Sequence, residues 1–152
     1  MLTSRHVGPI ATDYLDIQIA RGDETIEVDV NVADPASFTQ AAVEALDRAI
    51  DEIDHREAAA RAAFAAVMDD DKSEPVQFWR FHHDEVEGLG DLARETFVAS
   101  LKLVRAGFYP DETSDSASYV VLDFVVRGPQ TDQLLVAKFR HDGSLRAIAW
   151  ES

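Results

Sequence analysis

The chain has 152 residues and no cysteine, and its 29 acidic and 14 basic side chains leave a formal net charge of −15. That length suits one domain whose core needs no staples, and the missing cysteines exclude disulfides, thiolate metal sites and a cysteine nucleophile. Such acidity repels nucleic acid and anionic membranes; it suits a basic protein partner or simple dispersal in water.

The 46% hydrophobic content, with eight Phe, two Trp and three Tyr, argues against disorder. No stretch reaches the roughly 20 apolar residues of a membrane span, and residues 1–9 carry no apolar run of signal-peptide length, so a soluble cytoplasmic protein is expected. The acidity is uneven. Residues 1–76 hold 17 acids and 6 bases, and residues 77–152 hold 12 acids and 8 bases.

Residues 14–32 read as a β-hairpin. Leu15, Ile17 and Ile19, then Ile26, Val28, Val30 and Val32, alternate with polar residues, so one face is buried and the other wet. Gly22-Asp23 supplies the turn. Asp34-Pro35 signals a helix start, and apolar residues from Phe38 to Ile53 follow at helical spacing. Asp54 and Glu57 have capping-box spacing, which places a second helix from His55 towards the acidic run Asp69-Asp70-Asp71. Residues 69–75 are the one segment that reads as a flexible joint.

Ser73-Glu74-Pro75 starts a helix expected over 76–87, with Val76, Trp79 and His83 on its inner stripe. Asp91 is expected to cap another helix to about residue 104, on a stripe of Leu92, Phe97, Leu101 and Val104. Residues 107–110 read as a short extended piece. Residues 119–126 are nearly all apolar, which predicts a strand covered on both faces. Residues 133–140 and 145–151 flank His141-Asp142-Gly143-Ser144, a hairpin-turn signal. The expected fold is α+β in one domain over 1–152. An antiparallel sheet is built from the N-terminal hairpin and a C-terminal strand meander, with helices packed on one face.

Few residues point to chemistry. On a helix His83 and Glu87 lie four apart and could share a metal ion, but adjacent His82 and His83 diverge by about 100° and no further ligand pair is apparent, so no metal, cofactor or catalytic residue is assigned. No nucleophile elbow or phosphate loop occurs; Gly88-Leu89-Gly90 is too short. Arg21-Gly22-Asp23 spells an adhesion tripeptide that reads as a tight turn. Asp123 interrupts an apolar strand and needs a partner, with Lys138 or Arg105 as candidates. The candidate interaction face is the polar side of the first hairpin: Asp16, Gln18, Glu27, Asp29 and Asn31.

Residues 97–111 contain Leu101-Lys102-Leu103-Val104-Arg105 followed by Gly107-Phe108-Tyr109-Pro110-Asp111. This stretch resembles the "LKLxRIGLYPD" pattern of a bacterial family of unknown function, number two thousand and four among such domains. Phe81-His82-His83-Asp84-Glu85-Val86 is similar to that family's "FHLEEL", with His83 at a position where Leu is usual, which implies a core position. The likeness covers residues 76–152 best and implies a small bacterial cytoplasmic protein with no catalytic residue to carry over. The function expected is a non-enzymatic protein-interaction module, of inhibitor or immunity type, for a basic partner. The alternatives are a small-molecule or metal-binding domain, or an enzyme with an unrecognised site. Oligomeric state is not readable from the sequence.

Overall fold

A computed structural model describes residues 1–152. The chain forms an α+β fold with a six-stranded sheet and three helices. A two-residue pairing of β1 (Thr3–Ser4) with β2 (Gly8–Pro9) precedes the hairpin of β3 (Tyr14–Arg21) and β4 (Glu24–Asn31). Then come α1 (Gln40–Asp51), α2 (Ile53–Ala66) and α3 (Glu74–Glu85), followed by β5 (Leu101–Phe108), β6 (Val120–Val126), β7 (Leu134–Phe139) and β8 (Leu145–Glu151). The sheet keeps sequence order, and β3 and β8 are its edges. Every pair is antiparallel except β4 with β5, because the helical layer carries the chain back so that β5 enters in the direction of β4.

The alternation of β3 and β4 does what the sequence predicts. Leu15, Ile17 and Ile19 with Ile26, Val28 and Val30 face the helices, and the row continues across Ala106, Leu122 and Ala137. From above, α1 contributes Val43, Leu46 and Ile50, α2 contributes Ala60 and Phe64, and α3 contributes Phe78. All helices therefore bury onto one face. The expectation that residues 119–126 are covered on both faces fails: Val121, Asp123 and Val125 look onto the side no helix covers.

The helix starts differ from expectation in instructive ways. Asp34 caps only a 3-10 turn over Pro35–Ser37, and α1 begins after Thr39, whose hydroxyl accepts from Ala42 N–H at 3.1 Å. Asp54 and Glu57 form no capping box. They lie inside the first turns of α2 and hold Arg21, which donates to Asp54 Oδ1 from Nε at 3.1 Å and also pairs with Glu57. The adhesion-like tripeptide is thereby tied to α2. Ser73 does cap α3, and its hydroxyl also donates to Val67 O at 2.9 Å. Arg94 donates to Met68 O at 2.7 Å and to Asp71 at 2.8 Å, so the expected joint at 69–75 is laced down.

The expected helix at 91–104 does not form. Two 3-10 turns, Arg94–Thr96 and Val98–Ser100, lead into β5. β5 carries a bulge: Leu103 pairs with Phe124 and Arg105 with Asp123, so Val104 is an extra residue. Leu101 and Leu103 face the core before the bulge, and Ala106 and Phe108 after it. Were Val104 an ordinary strand residue, with no bulge, Arg105 would share the parity of Leu103 and point into the core.

Candidate functional site

The uncovered face of the sheet is where unexpected polar chemistry gathers. The bulge turns Arg105 onto this face, at its centre. Its guanidinium donates to both oxygens of Asp29, from Nε at 2.6 Å and Nη2 at 2.9 Å, and from Nη1 to Asp123 Oδ2 at 3.1 Å. Tyr109 Oη accepts from Nη2 at 3.1 Å, and Asn31 Nδ2 donates to Asp29 Oδ1 at 2.7 Å. The group lies flat over Gly107; a Cβ there would sit 2.8 Å from Arg105 Cζ, so glycine is required for this packing. Burial opposes the charge on Arg105, but its bonds to Asp29 and Tyr109 and the two carboxylates outweigh this and raise its pKa. Burial raises the pKa of Asp123, and Arg105 opposes that rise.

This geometry divides the predicted face. Asp16 lies directly opposite Asp29 and Gln18 opposite Glu27, so the five residues do share one side of the hairpin. However, Asp29 is only 4% exposed and is neutralised by Arg105, and Asn31 is half-buried against it. Asp29 is thus an internal ion-pair member and not a free surface acid. Asp16, Gln18 and Glu27 remain exposed. Asp123 finds Arg105, while Lys138 pairs with Glu151 at 2.8 Å.

The edge of β3 adds a second feature. Val32 N–H donates to Asp13 O at 2.9 Å. Bonding alternates along an antiparallel pair, so Leu15, Ile17 and Ile19 bond to β4 and the N–H and C=O groups of Asp16, Gln18 and Ala20 point outward. The opposite edge is guarded by a bulge at Arg146, whose side chain donates to Ser118 Oγ at 2.9 Å. β3 has no bulge, no proline and no covering element. Its Leu15, Ile17 and Ile19 are half-exposed along the rim.

The histidines resolve differently from the sequence reading. His82, not His83, enters the core, 1% exposed, with its Nδ1 bonded to Phe78 O at 2.7 Å. His83 lies at the helix rim beside Trp79 and Asp84, so the core position implied by the family pattern belongs to its neighbour. α3 ends at Glu85, which leaves Glu87 off the helix and breaks the four-residue spacing to His83. No three His, Asp or Glu side chains converge as metal ligands.

Burial lowers the pKa of His82, against the opposing bond to Phe78 O. A depressed folded pKa means the unfolded chain binds the proton first, so this contribution to stability is lost as pH falls below the ordinary histidine value. The urea midpoint should therefore drop between pH 7.5 and 5.5, and the drop should shrink in His82→Leu.

No helix is long and apolar enough to cross a membrane. Compared with protein families, curated proteins and solved structures, the chain matches none.

Proposed function

We propose that this chain is a protein-binding module whose β3 edge and adjoining open face take up an extended basic segment of a partner, in the manner of an inhibitor that masks a basic protein. The observation that carries the reading is the coincidence, at one sheet edge, of the unpaired outward backbone groups of β3 with two carboxylates that have no cation of their own, Asp16 on β3 and Glu27 on the adjoining β4. Asp16 sits in a close cross-strand pair with Asp29, where like charges cost about 0.2–1 kcal/mol. Arg105 satisfies Asp29 and leaves Asp16 and Glu27 unneutralised. A strand added at β3 would set its alternate residues against Asp16 and Gln18 on one side and against Leu15, Ile17 and Ile19 on the other. The partner segment is therefore expected to alternate basic and apolar residues. The likeness of residues 76–152 to a bacterial family contributes no activity to this reading.

A synthetic Lys-Val alternating heptapeptide tests it directly. The intact chain should bind the peptide with amide shifts concentrated at Asp16, Gln18 and Ala20. Asp16→Lys with Glu27→Lys should weaken binding about tenfold or more, since two semi-exposed pairs contribute on the order of 1–2 kcal/mol together. N-methylation of alternate peptide amides should abolish it. A block-ordered peptide of the same composition that binds equally well would leave only non-specific charge attraction and overturn the strand-addition reading. So would a sedimentation result showing that β3 is already occupied by a second copy of this chain.

A further inference from the structure

A second unassigned feature lies on the helix-covered side, away from the open face. A cavity of about 220 Å³ sits where the end of α1, the start of α2, the start of β6 and the β7–β8 turn meet. Its walls include Arg48, Arg56, Arg140, His141 and Tyr119, with Glu52 as the carboxylate among them. Such a gathering of cations is unexpected in a chain with 29 acids and 14 bases.

His141 Nε2 lies 3.5 Å from Asp115 Oδ1, but the three arginines are incompletely used. Arg48, in the last turn of α1, is exposed and forms no ion pair. Arg56 donates once to Glu52, from Nη2 at 3.1 Å. Its guanidinium lies flat on Gly143, where a Cβ would come within 2.7 Å of Cζ and where the φ of +89° already favours glycine. Arg140 bonds only uncharged acceptors: Asp115 O at 2.7 Å, Leu145 O at 2.9 Å and Ser144 Oγ at 3.3 Å. Its Nη2 has no acceptor in the chain. The hydroxyl of Tyr119 is the one buried side-chain polar atom without a hydrogen-bond partner, on a residue 6% exposed. Burial pushes its pKa up to about 12, so at neutral pH the group is an O–H donor. A buried hydroxyl left without a partner is destabilising.

A favourable charge at the C-terminus of α1 accounts for Arg48 alone. It does not account for Arg140 without a carboxylate, Arg56 braced on Gly143, or the orphan hydroxyl on the same wall. We propose that this cavity binds a small phosphate-class oxyanion. Guanidinium groups bind such oxyanions through charge-assisted, often bidentate bonds. Here they approach from α1, α2 and the β7–β8 turn, which suits a tetrahedral oxyanion better than a planar carboxylate. An oxyanion held there would offer the unpartnered Tyr119 hydroxyl on the same wall an acceptor.

The test uses the isotopically labelled full chain titrated with inorganic phosphate at constant ionic strength. Saturable amide shifts are expected at Arg48, Tyr119 and Gly143, with a Kd in the millimolar range or tighter. Arg48→Gln should weaken phosphate binding at least fivefold while lowering Tm in phosphate-free buffer by no more than about 3 °C, the loss of its favourable charge at the end of α1. Tyr119→Phe should weaken it as well, with Tm in phosphate-free buffer unchanged or higher, because the lost hydroxyl had no partner. Glycerol 3-phosphate separates the sources: tighter binding than phosphate assigns the site to a phosphate ester, weaker binding to the free ion. Linear, unsaturating shifts, equal binding by Arg48→Gln, or acetate binding as tightly as phosphate would overturn the proposal. A lower Tm for Tyr119→Phe would do the same, because it would mean the hydroxyl is already satisfied in the unliganded protein.

Discussion

Arg105→Ala should destabilise the fold by about 3–5 kcal/mol at pH 7, because it removes the one cation that serves two buried carboxylates. Asp29 and Asp123 are 4% and 7% exposed, and both rely on the same guanidinium. The loss should depend on pH, and the sign follows from linkage. Burial already raises the pKa of Asp123 in the intact chain. With Arg105 gone, Asp123 loses the cation that opposes the effect of burial, so its folded-state pKa stands further above the unfolded value. The folded state then binds more protons, and stability rises as pH falls towards the ordinary carboxylate range. Urea midpoints of the variant and parent should therefore converge between pH 7 and about pH 4.5. A constant gap would mean that Arg105 contributes packing alone.

The same cluster can be made neutral. Arg105→Met combined with Asp29→Asn and Asp123→Asn should recover most of the lost stability, since replacing a whole buried ion cluster is often neutral or better. That variant keeps Asp16 and Glu27 and should still bind the Lys-Val peptide. Arg105→Lys should not rescue, because a lysine cannot supply the planar fork that meets both oxygens of Asp29 while reaching Asp123.

Much of this arrangement was legible in the sequence, and what was hidden has one main cause. The hairpin was readable because Leu15, Ile17 and Ile19 and their partners obey a strict period of two over eight-residue strands. The need of Asp123 for a cation was readable because a carboxylate interrupts an apolar run. The strand that supplies the cation was not readable. Its core residues Leu101, Leu103, Ala106 and Phe108 are spaced two, three and two apart, because Val104 is bulged. The bulged Val104 then completes an apparent helical stripe with Leu92, Phe97 and Leu101, and the first half of the central strand reads as the end of a helix. That misreading hid Arg105 on the open face and made Asp29 look like a free surface acid. The choice between His82 and His83 was lost for a different reason. Adjacent identical residues on a helix differ only in phase, and the phase of α3 is set by Phe78 packing beneath the sheet residue Trp150. The cavity at Tyr119 left no sequence signal, since Arg48, Arg56 and Arg140 come together only through the crossing of α1 and α2 over the β7–β8 turn.

Phe124→Ala, one residue along β6 from Asp123, should be as damaging as Arg105→Ala but by the opposite physics. Phe124 is fully buried on the helix-covered face. Its ring meets Phe64 of α2 edge-on with centroids 5.2 Å apart, and Arg61 Cζ lies 5.3 Å from its centre. Truncation removes the transfer energy of the ring and leaves a cavity that a close-packed α2 cannot fill, about 3–5 kcal/mol in all. The loss also reaches beyond the cavity. Arg61 ties α2 to the approach of β5, donating to Val98 O at 2.9 Å and Leu101 O at 3.0 Å, and it uses the Phe124 ring as a platform. For a domain of this size the change corresponds to a fall in Tm of about 10 °C. Unlike that of Arg105→Ala, this deficit should be the same at pH 7 and pH 5, because no charge is left unpaired. Phe124→Leu should recover more than half of it. If Phe124→Ala instead showed a deficit that closed with falling pH, the two faces of β6 would be coupled through the strand, and the division into a structural face and a binding face would have to be abandoned.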